Sequence, residues 1–274
     1  MADPAAAEPQ PPSDARALLA RWYDLDMLDD PGDLDLYLAL AARSPGRVLE
    51  LAAGSGRIAV PLAAAGHEVV AVDNDPAMLA RAAAAWSRAS AGRRAGSAAG
   101  SLELVGADLL EVDLGARFDL VILALNGLLL MSSVERQGRA LASMARHLRP
   151  GHGRAVIDVS LPDPDALAAY DGRLQLEWQR SDPDGGGVVA KFAAARHDAA
   201  TATVDLTTIF DAWPAGGGAL TRVAREDRLR LIGAAELTGM VTAAGMAVQD
   251  LAGDHGLSPF GPGADRAVLI AGLV

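Results

Sequence analysis

Residues 48–59 read VLELAAGSGRIA, and no other stretch limits the possible folds of this chain so tightly. A short apolar run ends in an acid, Glu50. The small residues Ala52-Ala53-Gly54-Ser55-Gly56 follow, and a helical pattern begins at Arg57. A strand that turns into a helix through glycines presents bare backbone N–H groups to a ligand. Open α/β sheets hold nucleotide-like cofactors in this way.

The pattern around this stretch agrees. Apolar or β-branched runs at 47–51, 68–72, 102–105, 118–123 and 154–159 alternate with helical spacing at 58–65, 76–89 and 134–148. That order predicts a parallel, doubly wound α/β sheet, with strands apolar enough to be covered on both faces. Two short helices, 15–23 and 33–42, precede it. Between 173 and 231 the period shifts to two, with turn residues at 182–186, which predicts a small antiparallel sheet inserted into the core. Helix 234–244 and strands 247–251 and 267–273 then complete the core. The expected organisation is a disordered tail over 1–14, a cofactor-binding core over 15–170, the insert over 171–232 and the rest of the core sheet over 233–274.

Composition excludes several functions. The 274 residues carry a formal charge of -11, which argues against nucleic acid as a partner, since phosphate binding needs a basic face. Cysteine is absent, so no disulfide, thiolate metal site or cysteine nucleophile is available. No apolar run is long enough to span a bilayer, and the first residues lack the basic and apolar regions of a signal peptide. A cytoplasmic protein is expected. No His/Asp/Glu cluster has metal-ligand spacing in the sequence, so no metal is expected.

Two cofactors compete for the glycine loop. Gly54-Ser55-Gly56-Arg57-Ile58-Ala59 spells GxGxxA, and Asp73 closes the next strand where a ribose-binding acid belongs. That reading is NAD. Against it, Glu50 places an acid where dinucleotide folds want an apolar residue, and an acid there can reach a cationic amine. The strand is also preceded by a tail and helices, whereas dinucleotide domains often open on it. Asp108, in a Gly-Ala-Asp turn after the third strand, is placed to accept from an adenine amino group.

Together the segments VLELAAGSGR, VVAVDNDPAML, GADLLEVDL, FDLVILALNGLLLM and LRPGHGRAVIDV resemble the class I S-adenosylmethionine-dependent methyltransferases, in the expected order. The resemblance implies a Rossmann-like seven-stranded sheet with the insert as an antiparallel lid. It implies that Glu50, Ala52, Gly54 and Gly56 hold the methionine moiety of S-adenosylmethionine, with Ala52 standing where glycine is usual. Asp73 would take both ribose hydroxyls, Asn74 and Met78 would border the adenine, and Asp108 with Leu109 would read and pack on it. Leu125 and Asn126 would line the methyl-transfer site, and Tyr23 would close over the cofactor. The insert and the loop 253–260 are similar to a bacterial subgroup acting on small molecules, including amino-sugar and amino-acid N-methyltransferases, so transfer to an amine nitrogen is expected, with a hydroxyl oxygen as the alternative. A small-molecule acceptor is therefore expected, with the insert serving as its lid or as the contact of a homodimer. His255, in that Gly/Pro-rich loop, is the acid–base candidate because an imidazole can exchange protons near neutral pH. His197, expected at a turn, is a weaker one. Trp178, Phe210 and Trp213 are either pocket walls or core. A nicotinamide oxidoreductase and a non-catalytic cofactor-binding scaffold are the rival readings.

Overall fold

The computed structural model describes residues 13–91 and 100–274. The expected tail therefore lies almost wholly outside the described residues.

Two helices open the chain, α1 (Ser13–Asp26) and α2 (Leu34–Ala42). The core alternates β1 (Val48–Leu51), α3 (Ala59–Ala64), β2 (Glu68–Asp73), α4 (Pro76–Ala91), β3 (Ser101–Gly106), β4 (Leu120–Leu123), α5 (Val134–His147) and β5 (Arg154–Ser160). A short helix α6 (Pro164–Ala169) leads to the insert, β6 (Gln175–Ser181), β7 (Val188–Asp198), β8 (Thr203–Trp213) and β9 (Thr221–Arg230). The chain ends with α7 (Ala234–Ala243), β10 (Met246–Ala252) and β11 (Arg266–Leu273).

Seven strands form the main sheet in the order β3-β2-β1-β4-β5-β11-β10. The first five run parallel, but β11 enters antiparallel between β5 and β10. A dinucleotide fold runs 3-2-1-4-5-6, so this antiparallel strand is the departure that separates the two architectures. Strands β1 and β4 are buried at every position, which explains why they are apolar throughout except at Glu50. One face packs Leu49, Leu51, Val121 and Ile157 against α5 and α7. The other packs Val48, Ile122, Val156 and Val268 against α2 and α3. Glu50 alternates with Leu49 and Leu51, so it shares the face of Val48.

The insert is a separate four-stranded antiparallel meander, β6-β7-β8-β9. Its inward face has two ends. At one end Val189, Phe210 and Val223 enclose Leu19, Trp22 and Leu25 of α1. The Trp22 and Phe210 rings lie 5.6 Å apart and those of Trp178 and Phe210 5.9 Å apart. Trp178 and Phe210 are therefore core, while Trp213 stays exposed. The other end of that face roofs a cavity over the main sheet.

Candidate active site

The carboxyl ends of β1, β2 and β4 converge on one edge of the sheet, where open α/β folds bind ligands. The loop after β1 rises steeply. Ala52 adopts φ 55°, a left-handed conformation in which a side chain is strained, and Gly54 and Gly56 adopt φ 56° and 80°. A Cβ at Gly56 would lie 2.9 Å from Val60 Cγ2 and 3.1 Å from Ala82 Cβ. Glycine is required there because α3 and α4 close tightly beneath the loop. Asp73 braces the loop from β2, its Oδ2 accepting from Gly54 N at 2.7 Å and its Oδ1 from Asp75 N at 2.9 Å. Burial raises the Asp73 pKa, and these backbone donors oppose that shift.

Glu50 is the outlier of the site. It is 3% exposed, and among the described residues its Oε2 has no hydrogen-bond partner. Burial pushes its pKa up from 4.5 to about 8, opposed by the Arg57 guanidinium and the Ala59 N–H. A buried carboxylate oxygen without a partner is costly in itself. A ligand that brings a cationic donor would match it. Tyr23, on α1, leans over the same loop, for a Cβ at Gly54 would sit 3.9 Å from its Cε1. Burial raises the Tyr23 pKa, and a hydrogen bond with Arg57 opposes it.

The remaining expected residues fall around this cradle. Asn74 is exposed and Met78 half-buried, at the turn from β2 into α4. Asp108 follows β3, but its Oδ1 accepts from Leu110 N at 2.8 Å, so part of its carboxylate shapes its own turn. Leu109 is buried against Leu49 and Val70 in the core. Leu125 and Asn126 both have positive φ, 42° and 64°, directly after β4. Asn126 Oδ1 accepts from Ser160 N at 2.6 Å, and Asn126 N donates to the Asp158 carbonyl at 3.0 Å. Two consecutive non-glycine residues in this region store backbone strain.

Asn126 also lines a cavity of about 320 Å³ between the main sheet and the insert. Leu129, Ser160 and Pro162 line its core side, and Tyr170 and Arg173 its flank. All four lid strands contribute to it, through Glu177, Ala193, Leu206 and Leu229 among others. The wall mixes aliphatic side chains with the polar groups of Asn126, Ser160, Tyr170, Arg173, Gln175 and Glu177, and such convergent polar groups can orient a small molecule.

Residues 48–151 match the family model for a methyltransferase domain. These residues form a methyltransferase domain. No curated protein sequence matches the chain. Several solved structures share its fold over nearly its full length. The CcbJ methyltransferase from Streptomyces caelestis is 24% identical, with TM-score 0.67 and coverage of 99% of this chain and 100% of the other. An S-adenosylmethionine-dependent methyltransferase from Clostridium acetobutylicum is 16% identical, with TM-score 0.73 and coverage of 93% and 98%. The sugar N-methyltransferase KedS8 from a Streptoalloteichus species is 19% identical, with TM-score 0.67 and coverage of 98% of each chain.

The residues of this methyltransferase domain fit S-adenosylmethionine on three observations. A partnerless buried carboxylate suits the cofactor's ammonium, the loop exposes backbone at Gly54 and Gly56, and Asp73 stands at the next strand end. The acid–base role expected of His255 has no such support. His255 does not line the cavity. Its Nε2 meets Asp158 Oδ2 at 3.1 Å, and Asp158 is also held by Arg266 Nη2 at 2.7 Å. His197 is not at a turn but within β7, its backbone N donating to the Tyr170 carbonyl at 3.0 Å. Asp33, Asp158 and His255 offer ligand atoms within 4.8 Å of one another. Their carboxylates are already paired, Asp33 with Arg57 at 2.5 and 2.7 Å and Asp158 with Arg266, so the cluster reads as a buried ion network. Tyr170 and Glu177 are the cavity groups that sequence reasoning missed. Neither belongs to a motif, and only the folding of the insert onto the core brings them to Asn126.

Proposed function

We propose that this protein methylates the amine nitrogen of a small molecule held in the cavity between core and lid. The observation that carries the reading is the placement of that cavity, which shares Asn126 with the strand-end loop beside the cofactor cradle. S-adenosylmethionine supplies the methyl group on a positively charged sulfur. Glu50 and the loop at Ala52, Gly54 and Gly56 would hold its amino-acid end, and Asp73 its ribose. Asn74, Met78, Asp108 and Leu109 would border the adenine, and Tyr23 would cover the loop.

The chain's own part in the reaction is chiefly positioning. Leu125 and Asn126 present the transfer site, and the mixed polar and aliphatic cavity wall holds the acceptor beside it. An amine needs only to lose its proton before it attacks. Glu177 and Tyr170 are the acceptor-side groups that can orient the amine hydrogens. The resemblance to KedS8 supports nitrogen as the acceptor atom, and so does a carboxylate on the cavity wall. His255 acts at a distance by fixing Asp158, whose carbonyl anchors Asn126. Among the described residues no helix is long and apolar enough to cross a membrane, and we place the reaction in the cytoplasm.

Transfer of labelled methyl from S-adenosylmethionine to a panel of small amines and phenols tests the proposal. Product on amines, reduced at least tenfold by Glu177→Gln, is expected. Product on phenols alone would overturn the choice of nitrogen. Silence across the panel despite tight cofactor binding would favour a non-catalytic scaffold.

A further inference from the structure

Helix α1 is shared between the two binding regions. One side of it carries Tyr23, which leans over the glycine loop. Another carries Trp22 and Leu25, buried against the lid. Its carboxyl end is held by lid side chains. Arg180 donates to the Leu25 carbonyl, and Trp178 Nε1 donates to Asp26 Oδ1 at 2.8 Å. Cationic and N–H donors suit a helix end whose last carbonyls lack partners.

Lys191 stands at the middle of this arrangement. Residues 189, 191, 193 and 195 of β7 share one face of the lid. Val189 belongs to the α1 end of that face, and Ala193 and Ala195 to the cavity end. Lys191 lies between them, with its side chain 14% exposed. Its Nζ is 2.7 Å from Asp26 Oδ2 on α1 and 2.8 Å from Glu177 Oε2 on the cavity wall. One ammonium therefore joins the helix that covers the cofactor loop to the acid that faces the acceptor. Without it, two carboxylates would face each other across a partly buried gap, and like charges at that range repel.

We propose that Lys191 is a positioning residue that couples the two sites: the Asp26–Lys191–Glu177 bridge makes α1 and the acceptor lid respond together when the cofactor binds. The inference rests on the cofactor site described above. Its consequence is linkage, for whatever fixes α1 over the cofactor also fixes Glu177 in the cavity. A ligand of the cavity then strengthens cofactor binding by the same factor.

Hydrogen–deuterium exchange of the full chain tests this with S-adenosylhomocysteine as the probe, its affinity measured in parallel by isothermal titration. In the native protein the ligand is expected to slow exchange in 14–26 and also in 175–198, which carry none of the cofactor-binding residues. Lys191→Met should keep the slowing in 14–26 and lose at least threefold of it in 175–198, and Lys191→Arg should restore it. Asp26→Asn breaks the bridge from its other end and should give the same loss if Lys191→Met fails to fold. Binding of the probe with no change at 175–198 in the native protein overturns the inference alone. So does a full lid response in Lys191→Met. Failure of the probe to bind overturns the cofactor reading and the inference with it.

Discussion

Glu50→Gln should strengthen the ligand-free protein while weakening its grip on the cofactor. In the folded chain Glu50 has a pKa of about 8, against 4.5 for an ordinary glutamate, because burial disfavours its charge. The folded state therefore holds a proton that the unfolded chain has released between those values. Stability must fall as pH rises from about 4.5 to about 8, and level off beyond. At a pH of about 7.5 the difference spans roughly three units, or ~4 kcal/mol at 1.4 kcal/mol per unit. Glutamine has no charge to suppress but leaves an N–H₂ group where Oε2 had no partner, which costs about 1–2 kcal/mol. The net gain is about 2 kcal/mol, some 4–8 °C in melting temperature for a chain of this size. Cofactor binding should move the other way. The ligand's ammonium favours the ionised form of Glu50; above a pH of about 8 losing that charged acceptor costs about 1.5–3 kcal/mol, roughly 10- to 150-fold in affinity for S-adenosylhomocysteine, and less below it, where a proton must first leave. Thermal melts from pH 5 to 9 (about one-unit steps) and isothermal titration of both proteins measure the two effects. A variant that melts lower at every pH, or binds the ligand as tightly as the native protein, would refute the assignment of Glu50.

Three further predictions concern single residues. Asp73→Ala should weaken cofactor binding by about 1–3 kcal/mol, measured by titration, since it removes a charged acceptor and the brace on Gly54. An unchanged dissociation constant would show that Asp73 does not hold the ribose. Ala52→Gly should raise stability by up to ~1 kcal/mol, because the φ of 55° strains a side chain and not a glycine; a lower denaturation midpoint would count against that strain. His147 is buried, with Nδ1 on the Ser143 carbonyl at 2.8 Å and Nε2 accepting from Leu114 N at 3.1 Å, so only the neutral ring satisfies both partners. Burial lowers its pKa from 6.5. Its contribution to stability is thus present above about pH 6.5 and lost as pH falls from there toward the folded value. Acid melts should show this loss in the native protein and a flatter profile in His147→Gln.

The convergence of the proposed cradle residues at one sheet edge was legible in the sequence because its parts are local. Glu50, the glycine loop, Asp73 and Asn126 each sit at the end of an apolar run, and a parallel sheet brings consecutive strand ends to one edge. The antiparallel lid was legible in outline from alternation near Leu174–Gln179 and Leu229–Leu231. Its longest strands were harder to find. The alanine-rich segment Ala190–Ala195 has no β-branched signal, and it is a strand because Lys191–Ala195 pair with Phe210–Leu206. Contacts across long separations left no trace in spacing. Trp178 meets Asp26 from 152 residues away, and His255 meets Asp158 from 97. A histidine in a glycine-rich loop therefore looked free to titrate in a pocket, when a buried aspartate had already engaged its ring. The cavity between core and insert escaped for the same reason, since it exists only where the insert folds back over Asn126.

A crystal structure with S-adenosylhomocysteine tests the central claim most directly. The account predicts the ligand's amino group on Glu50, its ribose hydroxyls on Asp73, and its sulfur opening toward the cavity that Asn126, Tyr170 and Glu177 share. A ligand bound with its sulfur facing away from that cavity, or bound elsewhere than the loop after β1, would contradict it.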